Sequence, residues 1–181
     1  ATLPANIFHY NTVLDNLNLE ANRLTELSSG FFRNQTVLTT LRLSNNNFVT
    51  LNHDIFRTLG NLRNLYLSYC GLMQLNTEWF ITTSELRVLS LQGNSIEKIP
   101  YGTFRFVNLF QDLNLSHNKL QVLDATSFGN MANLRNLMMG GNGIGAIDNH
   151  FIQQPQNLND AFFLGNECIN LNIERFYAQR E

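Results

Sequence analysis

Residues 110–128 read FQDLNLSHNKLQVLDATSF, and this stretch carries the pattern that decides the fold. Its spacing is L-x-x-L-x-L-x-x-N-x-L-x-x-L, with Phe110 at the first leucine position and Phe128 five residues after the last one. The pattern recurs every 24 residues without insertion or deletion. Repeats 1 to 7 begin, in order, at Leu14, Leu38, Leu62, Leu86, Phe110, Leu134 and Leu158. A period of this length predicts a solenoid, in which one short unit stacks on copies of itself.

The centre of each repeat alternates between leucine and other residues. This period of two predicts a strand whose leucines face the interior and whose intervening residues face solvent. Parallel strands stack about 4.8 Å apart, so seven repeats predict a curved sheet roughly 30 Å long in the stacking direction. An asparagine follows each strand where the chain turns, and its amide can satisfy backbone groups that the turn would otherwise bury unpaired. This column contains Asn22, Asn46, Asn94, Asn118, Asn142 and Asn166, with Cys70 in repeat 3.

A column of phenylalanines is predicted to fill the interior on the convex side, where stacked rings bury large areas. It contains Phe8, Phe32, Phe56, Phe80, Phe104, Phe128 and Phe176, with Ile152 as the single substitution. The array is expected to occupy residues 1–171, as a half repeat 1–13, six full repeats 14–157 and a partial repeat 158–171. In residues 172–181, apolar positions recur with helical spacing after Asn172, a favourable N-cap, so a capping helix over the end of the core is predicted.

The pattern resembles that of the leucine-rich repeat proteins over almost the whole chain. The segments Leu3-Pro4 to Phe8 and Ile99-Pro100 to Phe104 are similar to the typical subclass. That subclass is found mainly in extracellular animal proteins: Toll and Toll-like receptor ectodomains, secreted insect leucine-rich immune proteins and neuronal guidance receptors. The resemblance implies an α/β-type solenoid, a right-handed superhelix with a curved parallel sheet on the concave face and a mostly irregular convex side. It also implies an extracellular protein, secreted or part of a receptor ectodomain.

Charge and chemistry exclude several classes of function. The net charge is −2 with a pI near 6.1, whereas a nucleic-acid binder normally has a basic face. No apolar run approaches the ~20 residues that a membrane span needs. The four histidines fall in different repeats and columns, so no metal site is expected. Ser116 and His117 share a strand with Asp112 but point in different directions, so no catalytic group is assigned. The expected protein is not an enzyme and has no cofactor.

Two glycosylation sequons are present, Asn34-Gln35-Thr36 on a predicted loop and Asn114-Leu115-Ser116 on a predicted strand. Modification is expected at Asn34 if the protein is secreted and is left open at Asn114. The two cysteines, Cys70 and Cys168, lie four repeats apart, or about 20 Å at the strand spacing. They cannot form a disulfide with each other. Cys70 is interpreted as a buried thiol, whereas Cys168 is either a small core residue or the partner of a cysteine outside this segment.

The concave sheet surface is the expected binding face. Two groups of residues depart from a plain polar surface there, and both are candidate partner-binding sites. A basic and aromatic group in repeats 2 to 4 contains residue types enriched at binding hot spots: Arg42, Arg63, Tyr66, Tyr69 and Arg87. An apolar group near the C-terminal end contains Met138, Phe162 and Leu164. Ordinary surface variation is the alternative explanation for both, and a C-terminal segment that covers the apolar group is a further alternative there.

Three functions fit these features. The favoured one is an extracellular recognition module that binds a protein or a microbial surface ligand, in innate immunity. The second is an adhesion or neuronal-guidance receptor fragment with the same fold, and the third is an intracellular interaction scaffold. The sequence leaves the identity of the ligand and the oligomeric state open.

Overall fold

The structure is a computed structural model that describes residues 1–48, 51–167 and 172–174. It is a solenoid of stacked turns with one parallel sheet and little helix. The described part of the chain contributes seven parallel strands to this sheet, one from each repeat. They are β1 (Asn16–Asn18), β2 (Thr40–Arg42), β3 (Asn64–Tyr66), β4 (Val88–Ser90), β5 (Asp112–Asn114), β7 (Asn136–Met138) and β9 (Asp160–Phe162).

The strands pair in the register that the period predicts. Leu41 lies opposite Leu65, and each strand is offset from its neighbour by one repeat. The carbonyl of the residue before each strand holds the next repeat in place: the oxygen of Thr39 accepts the N–H groups of Arg63 at 2.8 Å and Asn64 at 3.0 Å. The middle residue of each strand is buried, and the two beside it are at least partly accessible. The predicted parallel sheet and its inward-facing leucines are confirmed.

Five of the six asparagines in the column bond to the backbone of two successive repeats, whereas, among the described residues, the amide of the exposed Asn22 donates only to the Glu20 carbonyl of its own repeat. The Nδ2 of Asn118 donates to the carbonyls of Leu91 and Leu115, both at 3.0 Å, and its Oδ1 accepts the N–H of Ile96 at 3.1 Å. Asn46, Asn94, Asn142 and Asn166 make the equivalent bonds. Each side chain therefore satisfies polar groups at the turn that would otherwise be buried without a partner.

Cys70 takes the asparagine position in repeat 3 as a buried free thiol. Its Sγ donates to the carbonyl of Leu43 at 3.2 Å, so it reproduces part of the amide's bonding. Burial raises the pKa of the Cys70 thiol to about 11, an effect opposed by the N–H of Asn46 and reinforced by the charge of Glu20. The thiol is thus neutral at physiological pH. Cys168 lies outside the described residues.

Aromatic rings stack on one another along the convex side of repeats 3 to 6. Phe80 packs on Phe104 with ring centroids 4.9 Å apart, and Phe104 packs on Phe128 at 5.4 Å. In repeat 6 the ring that continues the stack is Phe151, 4.9 Å from Phe128 and 1% exposed. The repeat pattern predicted Ile152 at this position, and its side chain lies outside the described part of the structure, as does Phe176.

The convex side is mostly irregular. It contains 3-10 helices at Thr77–Phe80 and Ala125–Ser127 and a short helix, α1, at Asn149–Gln153. A second ladder that the repeat pattern did not predict lies there, in which β6 (Val122–Leu123) pairs in parallel with β8 (Ala146–Ile147). No helix in the described ranges combines the length and the apolar character that a membrane crossing requires.

The predicted C-terminal capping helix is wrong for its first three residues. Asn172–Glu174 forms strand β10, which pairs antiparallel with β9 and places Asn172 opposite Phe162. The outer edge of β9 would otherwise present unpaired N–H and carbonyl groups, and an added strand satisfies them where a helix could not. Residues 175–181 of the predicted helix lie outside the described residues.

Replacing Asn118 with alanine is expected to lower the free energy of unfolding by about 3 kcal/mol, because one N–H and two carbonyls lose a buried partner. The measurement is urea denaturation followed by circular dichroism. Asn159→Ala is the matched control, since the Asn159 side chain is exposed and makes no hydrogen bond to another residue that the structure describes. Equal stability of the two variants would contradict the role assigned to the asparagine column.

Candidate concave binding face

The concave face consists of the outward residues of the parallel strands. Its central column contains Asn18, Arg42, Tyr66, Ser90, Asn114, Met138 and Phe162, and all of these except the exposed Asn18 are half-buried. The next column contains Glu20, Ser44, Ser68, Gln92, Ser116, Gly140 and Leu164. Because strand register fixes every column, residues one repeat apart lie one strand spacing apart, about 4.8 Å.

Arg42 and Tyr66 are in direct contact at the centre of the predicted basic and aromatic group. The guanidinium carbon of Arg42 lies 4.2 Å from the centre of the Tyr66 ring, which is a cation–π contact. The strand register that places Arg42 beside Tyr66 produces this contact. Both side chains are therefore held in one arrangement while part of their surface remains accessible to a ligand.

Arg63 and Arg87 lie side by side where β3 and β4 begin. The N–H of Arg87 donates to the carbonyl of Arg63 at 2.9 Å, which fixes the two backbones one strand apart. The Arg63 side chain is exposed and that of Arg87 is half-buried. The Nε of Arg87 is buried without a hydrogen-bond partner.

Tyr69 lies at the other end of the strands, away from Arg63 and Arg87. Its side chain is 50% exposed, and its backbone has a φ of 55°, which is uncommon for a residue other than glycine. The ring covers Gly93 of the next repeat so closely that a Cβ added to Gly93 would lie 2.2 Å from the Tyr69 Cε1 atom. The predicted group is therefore one surface with three parts: two arginines, the Arg42–Tyr66 pair and Tyr69.

At the end of the strands where Tyr69 lies, one residue in each repeat has a left-handed backbone conformation, which the repeat pattern did not predict. The residue before each position of the asparagine column has a positive φ in all seven repeats: Ala21, Asn45, Tyr69, Gly93, His117, Gly141 and Gly165. Glycine at three of the seven positions was the available signal, since glycine adopts this conformation at little cost. His117 covers Gly141 as Tyr69 covers Gly93, because a Cβ on Gly141 would lie 2.6 Å from the His117 Nδ1 atom.

The predicted apolar group is separate from the basic and aromatic one. Met138 and Phe162 lie opposite each other on neighbouring strands and are half-buried, whereas Leu164 is 57% exposed. Phe162 is also opposite Asn172 of β10. The strand β5 lies between the two groups.

The two predicted glycosylation sites differ in environment. The Nδ2 of Asn34 donates to the carbonyl of His9 at 2.9 Å and lies 3.0 Å from its Nδ1. Asn114 is on the concave face, where its Nδ2 donates to the Oε1 of Gln92 at 3.3 Å. An asparagine that carries a glycan retains one N–H, so the bond from Asn34 to the carbonyl of His9 is compatible with modification.

The acidic and histidine side chains do not converge. In the described part of the chain no three potential metal ligands lie together. Two exposed ion pairs are present there, His53–Glu78 at 2.9 Å and His150–Asp148 at 3.0 Å. Hydrogen bonds from the backbone N–H and the ring of His150 lower the pKa of Asp148.

Two open clefts lie outside the predicted site. One of about 740 Å³ is lined by Lys119, Glu167 and the glycine-rich segment 141–145. The other, of about 520 Å³, lies on the flank beside Met73 and Trp79. None of the predicted partner-binding residues lines either cleft.

The family model described as leucine rich repeat matches residues 12–72, 61–120, 84–144 and 110–162. No curated protein sequence is similar enough to this chain to count as a relative. The solved structures that resemble it include a leucine-rich repeat protein of Leptospira interrogans, with 28% identity and a TM-score of 0.82, over 92% of this chain and 41% of that one.

Two further solved structures are similar over 92% of this chain. One is TLR13 in a complex with single-stranded RNA, with 29% identity and a TM-score of 0.77; the other is the leucine-rich repeat domain of APL1B, with 22% identity and a TM-score of 0.74. The chain spans 27% of the TLR13 chain and 54% of the APL1B chain. Because the TLR13 structure contains RNA, the exclusion of nucleic acid on net charge alone is not supported.

Gly93→Ala is expected to lower the free energy of unfolding by about 2 kcal/mol, because it combines a strained φ with a clash against the Tyr69 ring. Adding Tyr69→Ala removes the clash but leaves the strain, so the double variant is expected to be less destabilised than the two single effects combined. Gly60→Ala is the control, since its new Cβ would find its nearest neighbour, the Thr82 carbonyl oxygen, at 3.8 Å. Urea denaturation of all four variants measures this, and additive effects would contradict the Tyr69–Gly93 contact.

Proposed function

The chain belongs to the leucine-rich repeat family, and on this premise we propose that it is a non-enzymatic extracellular recognition module. Its concave face binds a protein or a microbial surface ligand, and its role is in innate immunity. The contact of 4.2 Å between Arg42 and Tyr66 is the observation that carries this proposal. Arginine and tyrosine are enriched at binding hot spots, and a pair that is already ordered loses little conformational entropy when a ligand binds.

The shape of the molecule supports the concave face as the working surface. In a solenoid each repeat contributes one strand to a continuous surface, so a ligand can contact several repeats at once. Arg42, Tyr66 and Arg87 come from three successive repeats and lie on this surface. The convex side is divided among turns and short helices and offers no equally regular array.

The extracellular and immune parts of the proposal rest on similarity. The segments Leu3-Pro4 to Phe8 and Ile99-Pro100 to Phe104 resemble the typical extracellular subclass, and TLR13 is similar at 29% identity. The scattered positions of the histidines support a function without catalysis, because a nucleophile and a base must meet in one pocket.

The double variant Tyr66→Ala/Arg87→Ala is expected to weaken ligand binding by roughly tenfold or more, the loss typical of hot-spot residues. The ligand is first recovered on immobilised wild-type protein from extracellular fluid or from bacterial surfaces. Affinities are then measured by biolayer interferometry.

The double variant Tyr101→Ala/Arg105→Ala is the matched control. It removes the same two residue types from the convex side, where both are exposed and Arg105 stacks on Phe106 at 4.4 Å. Equal affinity for both double variants, or a loss only in the convex one, would place the binding surface elsewhere.

The protein from its native source is expected to carry an asparagine-linked glycan at Asn34. Its Asn114 is expected to be unmodified, since a glycan there would cover the middle of the concave face. Intact-mass spectrometry before and after glycosidase treatment measures this. On expression in eukaryotic secretory cells, Asn34→Gln should remove the glycan mass and Asn114→Gln should leave it unchanged. A native protein without any glycan, recovered from the cytosol, would overturn the extracellular assignment.

A further inference from the structure

We propose that Arg42, Arg63 and Arg87 form a carboxylate-binding band that takes a short acidic peptide segment of a protein partner. This inference rests on the concave-face function proposed above and specifies the chemistry of its ligand. Three observations on that face support it: the arginines lack anionic partners among the described residues, two of them are neighbours, and acidic residues lie in the repeats on either side.

Among the residues that the structure describes, the arginines of the band have no anionic partner. Both ion pairs in the described ranges are formed by histidines, and no acidic side chain bonds to Arg42, Arg63 or Arg87. Glu85 is close to Arg87 in sequence but forms no ion pair with it. Three permanent positive charges therefore remain on the binding face without a neutralising group.

Two of these arginines, Arg63 and Arg87, are neighbours across adjacent repeats. Because the backbone of Arg87 bonds to that of Arg63 at 2.9 Å, their side chains leave the sheet about one strand spacing apart. Like charges this close repel each other, and a carboxylate placed between them would convert repulsion into attraction. The planar guanidinium group matches a carboxylate in shape.

Arg42 extends the band towards the centre of the sheet. Its guanidinium lies over the Tyr66 ring, so the ring covers one face of the group while the N–H groups at its edge can bond to a ligand oxygen. An extended peptide that runs obliquely from β2 to β4 would first pass Arg42 and Tyr66 in the central column. It would then reach Arg63 and Arg87, where β3 and β4 begin.

Acidic residues bound the positive band on both sides. Repeat 1 presents Asp15 and Glu20, and repeat 5 presents Asp112, whereas the outward positions of repeats 2 to 4 contain no acidic residue. The outer strands of the band are about 10 Å apart. A long polyanion would leave the band and meet negative charge on either side, which disfavours RNA or a sulfated glycan. Two or three carboxylates of a short peptide fit inside it.

The experiment titrates the full chain with a fluorescein-labelled peptide in which an Asp-Glu-Asp core is flanked by Gly-Ser. The matched control peptide has an Asn-Gln-Asn core, and oligouridine and heparin are the two polyanion probes. Binding is measured by fluorescence anisotropy in low salt, with the arginine Nε–H signals followed by NMR. The acidic peptide is expected to bind and the neutral one is not.

Arg63→Gln and Arg87→Gln are each expected to weaken the acidic peptide roughly twofold to fivefold, the range measured for exposed charge pairs. Arg135→Gln is the matched control, because Arg135 occupies the same register position in repeat 6, outside the band. It is expected to bind the peptide as tightly as the wild type. Arg63 is exposed, so its replacement tests the band even if Arg87→Gln disturbs folding.

The inference is overturned if the acidic peptide fails to bind, if Arg135→Gln weakens it as much as Arg63→Gln does, or if oligouridine or heparin binds more tightly through the same arginines. In each of these cases the concave-face function is still judged separately, by comparing the Tyr66/Arg87 and Tyr101/Arg105 double variants against the recovered ligand.

Discussion

The hydrogen bonds between successive repeats are the constraint on which this structure depends. A three-residue strand followed by a turn leaves backbone N–H and carbonyl groups without partners in their own repeat. The neighbouring repeat supplies those partners. Asn118 shows the arrangement, since its amide bonds to the backbone of repeats 4 and 5 at once. A residue inserted or deleted between the strand and its asparagine would shift these donors and acceptors out of reach, which explains the constant spacing of that part of each repeat.

The same constraint gives the concave face its precision. Because register fixes the distance between repeats, each outward side chain has a defined neighbour one strand away. The stack of Arg42 on Tyr66 and the close approach of Arg63 and Arg87 both follow from this register. At the edge of the sheet Tyr69 adopts a left-handed backbone and covers Gly93, so the backbone conformation of one repeat limits the residue that the next can use.

Much of the fold could be predicted because its signals are local and repeated. The inward leucines, the asparagine column and the parallel strands follow from alternation and period, and the structure confirms them. One error arose where repetition ends: the helical spacing after Asn172 predicted a helix, but the open edge of β9 is filled by a strand there. In repeat 6, Phe151 continues the aromatic stack, one residue away from the position that the column predicted.

The sequence by itself determined the repeat, its register and the list of residues on the concave face, because each of these follows from a period that can be counted along the chain. The tertiary structure decided which members of that list touch and which stand apart. Arg42 reaches Tyr66, Tyr69 turns to the opposite edge, and the Nε of Arg87 is buried without a partner. These outcomes depend on side-chain conformation and on contacts between residues about 24 positions apart, which a linear pattern does not specify.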